Sequence, residues 1–382
     1  MTTGHASPLL DLRGMLLPDL EAFVERLGEP RYRGRQIARW LYTRGAAAVD
    51  EMTDLPRAFR DRLAEGARIG SLAVRRTQEA PDASATKLLV ALEDGQTVEC
   101  VRMRFADGRR SACISTQVGC AMGCAFCATG LGGFARNLSA GEILGQFLLI
   151  RAQGRTRLSN VVFMGMGEPL ANYGATVRAV RILAAPYGMG IGMRHITVST
   201  VGLAPQIRQL ARERLQMTLA VSLHAPADSL RDQLVPVNRR YPLAELMAAC
   251  REYIEATRRR LTFEYVLIDG VNDGPDEARA LGRLLAGVRS HVNLIPLNPV
   301  DGIVYRRPPI SRVRAFASAV RSAGLPVTVR IERGVEIQAA CGQLRLAAGL
   351  GRPSRWTPAA QRAQGASPAG AHASGSPGAR SS

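Results

Sequence analysis

Short runs of β-branched and apolar residues recur at 113–117, 160–164, 195–200, 217–223, 262–268 and 291–297, each followed by a stretch of helical character. Strands alternating with helices predict a parallel sheet covered by helices. Six such βα units suit an α/β fold of the partial, TIM-like barrel type better than a closed eight-stranded barrel. Upstream, residues 16–69 carry helical apolar spacing broken by the turn-like Gly28-Glu29-Pro30 and by Gly45, which predicts a small helical domain. The expected organisation is a helical domain over 1–75, a β-rich connecting segment over 76–112, the barrel over 113–350 and a tail over 351–382. That tail has eight Ala, six Ser, five Gly, four Pro and no acidic residue. With almost nothing to bury, it reads as disordered and basic.

The ends of the predicted strands carry most of the polar residues. After successive runs come Gly165-Met166-Gly167-Glu168-Pro169, Ser199-Thr200, Ser222-Leu223-His224, Asp269-Gly270-Val271-Asn272-Asp273 and Asn298-Pro299. Any one of these could be only a turn or a helix cap. Five together, at the carboxyl ends of parallel strands, mark the place where barrel enzymes build their sites.

The 382 residues are 46% hydrophobic and 21% charged, with no apolar run near the roughly 18 residues of a membrane span. Asp11 and Arg13 fall where a secretory signal would be apolar. A soluble, monomeric, cytoplasmic protein with no membrane partner is the expectation. The formal net charge of +18 favours a polyanionic partner. Lys87 is the only lysine, so arginine supplies the other forty-nine cations, a bias expected of a GC-rich genome. Residues 31–44, RYRGRQIARWLYTR, interleave five arginines with Tyr32, Trp40 and Tyr42. This mixture suits stacking on bases and pairing with phosphates. The alternative is a solvated basic helix face with its aromatics in the local core.

Three of the seven cysteines, Cys120, Cys124 and Cys127, lie within eight residues just past the first barrel strand. Such crowding does not suit a secreted disulfide framework and points to a metal site. Three thiolates on one loop can hold three irons of a [4Fe–4S] cube and leave the fourth open. A structural zinc, completed by Cys113 or His224, stays as the competing reading.

Cys120-Ala-Met-Gly-Cys124-Ala-Phe-Cys127 resembles the CxxxCxxC signature of radical S-adenosylmethionine (SAM) enzymes, with Phe126 at the motif's aromatic position and Gly167-Glu168-Pro169 similar to the segment that lines the methionine moiety. Further blocks, among them RNLSAGEI, MGMGEPLANY, HITVSTVGL, VSLHAP, EYVLIDGVND, VNLIPLNP and AACGQL, resemble the RlmN/Cfr branch of RNA methyltransferases over residues 16–350. The resemblance implies a [4Fe–4S] cluster on Cys120, Cys124 and Cys127, with SAM contacted by Gly167, Glu168, Ser199, Ser222, Leu223, His224 and Asn298. It further implies two SAM molecules per turnover, an electron donor for the cluster, and ribosomal RNA and tRNA as substrates. The reaction implied is methylation at C2 of adenine, with C8 as the alternative. Cys341 would carry the methyl group, Cys113 would resolve the protein–RNA adduct and Glu99 would accept the proton. Leu131, Val201 and the RGVEIQ approach to Cys341 depart from the family pattern. Cys100 and Cys250 match nothing functional and read as core.

Overall fold

The computed structural model describes residues 9–154, 157–330 and 333–344; the tail expected over 351–382 lies outside the described residues. A short parallel pair, β1 (Leu10–Asp11) and β2 (Ala67–Arg68), closes off the amino-terminal helices α1 (Leu17–Arg26), α2 (Tyr32–Ala38) and α3 (Arg57–Gly66). Leu20 and Val24 on α1 and Phe59 and Leu63 on α3 repeat every four residues, so each helix turns one apolar face inward, and all four are buried. α2 runs on into a wider π-type turn over Arg39–Arg44, which Gly45 ends at φ +76°.

Among the described residues, ten strands form the central sheet. β3 (Ala73–Glu79), β4 (Ala85–Ala91), β5 (Thr97–Arg104) and β6 (Arg110–Cys113) pair antiparallel in sequence order. Next comes a small antiparallel pair outside the main sheet, β7 (Gln117–Gly119) with β8 (Phe134–Asn137), and the cysteine loop and α4 (Ala128–Leu131) lie between them. β9 (Asn160–Phe163), β10 (Ile196–Thr200), β11 (Thr218–Ser222), β12 (Leu261–Leu267), β13 (Ser290–Pro296) and β14 (Val327–Val329) extend the sheet from β6, all parallel. The crossovers are α5 (Ala140–Ala152), α6 (Tyr173–Ala184), α7 (Ala204–Arg212), α8 (Asp228–Leu234) with α9 (Leu243–Thr257), α10 (Pro275–Leu284) and α11 (Ile310–Ser322). Six βα crossovers joining parallel strands make the expected partial barrel. Its sheet stays open, ending at β3 on one edge and β14 on the other.

Two features differ from the sequence expectation. The run at 113–117 is not one strand, because the ladder stops at Cys113 and Ser115 is held by side-chain bonds instead. Its Oγ donates to the Glu99 carbonyl at 2.6 Å and accepts from the Met166 N–H at 2.8 Å, and its N–H donates to Gln146 Oε1 at 2.8 Å. In addition, β3, β4 and β5 do more than connect: they hydrogen-bond onto β6 and continue the barrel sheet.

The register places chemistry on one face of this extension. Lys87 lies opposite Val101, Val101 opposite Cys113, and Glu99 opposite Leu89. Paired residues and their i±2 neighbours share a face, so Lys87, Glu99 and Cys113 all point to the same side.

Candidate active site

The carboxyl ends of β9 to β13 converge on one cavity, whose walls include Gly167, Glu168, Ser199, Ser222, His224 and Asn298. Cys120, Cys124, Cys127 and Cys341 line the same cavity. The wall needs glycine at 167. Its φ is +102°, and an added Cβ would stand 2.6 Å from Gln117 Cβ and 2.8 Å from Gln117 N. Gln117 in turn accepts the Glu168 N–H at 2.8 Å, so β7 fixes the turn that presents Glu168.

The cysteine loop leaves β7 through Gly119, at φ +76°, where any Cβ would lie 2.0 Å from the Gly133 carbonyl. The Cys120 N–H donates to that carbonyl at 2.6 Å, and the Ala125 N–H ties the loop to the Leu234 carbonyl at 3.0 Å. Phe126 is buried edge-on to the His224 ring, 4.8 Å between centroids. Burial pushes the Cys120 thiol well up and Cys124 up to about 12. Metal coordination would reverse this by deprotonating them.

Glu168 is buried, and that burial raises its carboxyl to about 7 even though Oε2 accepts from Val201 N–H at 2.7 Å and Oε1 from Leu170 N–H at 2.9 Å. Burial and then Arg231 lower the His224 imidazole to about 3. The neutral ring has a fixed tautomer: Nδ1 accepts the Val266 N–H at 3.0 Å, which leaves the proton on Nε2. Arg231 is fully buried and binds four acceptors: Leu223 O at 3.0 Å, Val201 O at 2.7 Å, Ser222 O at 3.1 Å and Asn238 Oδ1 at 2.7 Å. One guanidinium thus clamps the ends of β10 and β11 at the cavity.

Cys341 is exposed at the cavity mouth on a turn anchored from several sides. Asn298 Nδ2 donates to the Cys341 carbonyl at 3.0 Å, Ala128 N–H to the Gly342 carbonyl at 2.8 Å, and Gln343 Nε2 to the Pro299 carbonyl at 2.8 Å. Protein surrounds the thiol on its inner side and holds it above its ordinary value, against the pull of Arg330. Arg330 also lines the cavity, 3.4 Å from Glu264 Oε2. Burial opposes its charge, yet Glu264, Cys341 and Cys113 together keep it raised. Cys113 is buried, and its thiol is pushed up to about 12 by burial and next by Cys341.

Of the residues expected to hold the cluster, contact SAM or act in catalysis, ten therefore share the cavity wall, including four cysteines. Leu223 does not: its side chain is in the core and its backbone bonds to Arg231 and Glu264. Glu99 and Cys113 sit on the sheet face behind the wall, and Glu99 is ion-paired to Lys87 at 3.0 Å. Cys100 and Cys250 are fully buried in the core. Tyr42 belongs there too, its hydroxyl donating to the Met15 carbonyl at 2.6 Å. Tyr32, Arg35 and Arg39 are exposed, and Arg44 stacks over Trp40 at 4.0 Å. Sequence reasoning missed Glu264, Arg330 and Arg231. A glutamate inside the apolar run TFEYVL was the available signal for the first.

The radical SAM superfamily matches residues 114–281, and the ribosomal RNA large subunit methyltransferase N-terminal domain matches residues 10–69. A Moorella thermoacetica protein named "Probable dual-specificity RNA methyltransferase RlmN" is 54% identical, covering 88% of this chain and 98% of its own length. The chain belongs to the RlmN family of radical SAM RNA methyltransferases. An RlmN of Syntrophobacter fumaroxidans is 48% identical over 87% of this chain and 97% of its own. A crystal structure of a radical SAM methyltransferase from Sphaerobacter thermophilus superposes with a TM-score of 0.83 at 51% identity, covering 88% of this chain and 99% of that one.

Membership of the superfamily brings a [4Fe–4S] cluster and SAM, and the cavity suits both. Among the described residues no three His, Cys, Asp or Glu side chains are grouped to hold a single metal ion. Cys120, Cys124 and Cys127 line the cavity, and three thiols on one loop suit three irons of a cluster. Among the described residues the buried Asn298 Oδ1 has no hydrogen-bond partner, an acceptor that a ligand donor would satisfy. Among the described residues no helix is long and apolar enough to cross a membrane.

Proposed function

We propose that this chain methylates C2 of an adenine in large-subunit ribosomal RNA, and in tRNA, by way of a methyl group carried on Cys341. The observation that carries this reading is the position of Cys341, exposed on the cavity wall that it shares with the three clustered cysteines. Relatives named dual-specificity RNA methyltransferases and the +18 charge support an RNA substrate in the cytoplasm.

When bound, the cluster and SAM supply radical chemistry, which an electron-poor sp² carbon such as adenine C2 needs because it does not attack a methyl group as a nucleophile. Cys120, Cys124 and Cys127 hold the cluster. Glu168 suits the ammonium of SAM, because a buried carboxylate held by two N–H groups is ready for a cation. Ser199, Ser222, the Leu223 backbone, His224 and Asn298 orient the rest. His224, neutral and with its proton on Nε2, offers a donor to the cavity.

Cys341 takes a methyl group from one SAM molecule as a thiolate, and a second SAM serves the transfer to RNA, giving two per turnover. Glu99 accepts the proton from C2 at a carboxylate oxygen. The Cys113 thiolate then attacks the Cys341 sulfur, the bond from that sulfur to the RNA-bound carbon breaks with its electron pair passing to the carbon, and protonation there completes the methyl group and leaves a Cys113–Cys341 disulfide. A base splayed from its stack is the substrate such a cavity can reach. Exposed Tyr32, Arg35 and Arg39, with the Trp40–Arg44 stack, form the face that meets RNA.

The test is reaction of the iron-loaded, anaerobic enzyme with SAM, a reductant and either ribosomal RNA fragments or tRNA, followed by digestion and mass spectrometry against methyladenosine standards. 2-Methyladenosine in both RNAs is the expected product. 8-Methyladenosine would move the reaction to the other carbon, and an unmodified tRNA would remove that substrate.

A further inference from the structure

Lys87, the only lysine of the chain, is buried on the middle strand of the antiparallel extension. Its ammonium makes two contacts that link parts of the protein far apart in sequence. Nζ lies 3.0 Å from Glu99 Oε1 and donates to the Gln338 carbonyl at 3.2 Å. Gln338 has φ +53° and stands three residues before Cys341. The same strand meets that loop a second time, because an added Cβ at Gly334 would lie 2.8 Å from Ala85 Cβ. β4 is therefore the floor on which the Cys341 loop rests, and Lys87 bridges the loop to Glu99.

The residue type carries information. In a chain with forty-nine arginines, one lysine stands at a buried position between two acceptors. A compact ammonium on a four-carbon stem can serve both acceptors from one point, whereas a planar guanidinium is wider and spreads its donors in a fixed fork. An isolated buried cation is costly, and here the Glu99 ion pair and the Gln338 carbonyl offset that cost.

We propose that Lys87 is a positioning residue that sets Glu99 and the Cys341 loop in register with each other, so that the proton acceptor and the methyl carrier face the same base. This rests on the reading of Glu99 as proton acceptor and Cys341 as methyl carrier. Lys87 itself is not part of the cavity wall.

Lys87→Met, Glu99→Gln, the double variant and Lys87→Arg separate the possibilities. In Lys87→Met, transfer of methyl to RNA should fall at least tenfold at unchanged KM for RNA, while the fraction of Cys341 that is S-methylated in the purified protein stays native. Amide hydrogen exchange over 333–344 should quicken with the rest of the sheet unchanged. The double variant removes both charges of the pair and should keep its fold; its transfer rate should equal that of Glu99→Gln alone, because the two residues act as one unit. Lys87→Arg should recover part of the rate through its retained charge. Losses that simply add in the double variant, or native transfer in Lys87→Met, would overturn the positioning role. If Glu99→Gln itself transfers methyl at the native rate, the reading of Glu99 fails, whatever Lys87 does.

Discussion

On the parallel side of the sheet, β9 to β13 end in Glu168, Ser199, Ser222, His224 and Asn298, all on the wall of an open cavity. On the antiparallel side, β4 to β6 keep Lys87, Glu99 and Cys113 buried on a sheet face behind that wall. The contrast follows from strand direction. Parallel strands all end on the same side of the molecule, so each contributes a polar terminus to one place. Antiparallel strands share no such end and present their polar residues through the alternation of one face. In the proposed reaction, diffusible SAM needs a wall that is open at rest, while groups that act after the base has joined the protein are better shielded from water. Cys341 stands between the two, exposed at the cavity mouth yet bridged to the antiparallel side through Gln338 and Lys87.

This division gives testable asymmetries. The largest effect belongs to the open wall. Cys124→Ala should abolish turnover and cluster binding, while the metal-free protein loses only about 1 kcal/mol, since little volume is removed from a half-buried site. Metal analysis after anaerobic reconstitution should find about four irons in the native protein and none held stably in the variant. Stoichiometric zinc without iron in the native protein would instead favour a structural metal.

Next comes the clamp behind the wall. Arg231→Met leaves three main-chain carbonyls and Asn238 Oδ1 without their donor and should cost about 3–5 kcal/mol in urea unfolding. A loss below 1 kcal/mol would show that the ends of β10 and β11 do not depend on it.

A smaller effect, readable as pH dependence, separates a group kept for a ligand from one kept for stability. Burial raises Glu168 to about 7 from an ordinary value of 4.5, so its favourable contribution is complete below about 4.5 and is lost as the pH rises through 7. Glu168→Gln should therefore gain on the native metal-free protein by up to about 3 kcal/mol between pH 4.5 and pH 8. Parallel stability curves for the two proteins would contradict the shift.

Much of the parallel side could be read from the sequence because its logic is local. β-Branched runs mark the strands, and the next few residues mark the wall, as Ser222-Leu223-His224 does after β11. The cysteine array lies within eight residues, so its grouping needs no tertiary information. The antiparallel side was harder to read. Which strand pairs with which cannot be seen in QTVECVRMRF alone, and only the register of β4 with β5 puts Lys87 beside Glu99. Glu264 and Arg330 escaped for the same reason, since their ion pair joins residues 66 positions apart. Tyr42 settles an alternative that its arginine-rich segment left open between stacking on RNA and the local core: its buried hydroxyl, bonded to Met15 and Gly14, is a structural anchor.

The proposed reaction requires Cys113 and Cys341 to act in sequence on one covalent RNA adduct, and Cys113→Ala tests that directly. The variant should lose roughly 1–2 kcal/mol of stability, as a small buried side chain does. It should still load a methyl group on Cys341 and still join adenine, then stall. Isolated from cells and digested with ribonuclease and protease, it should yield a peptide bearing an adenine nucleotide on Cys341, and Cys341→Ala should yield none. A Cys113→Ala protein that carries no RNA and turns over at the native rate would contradict the account.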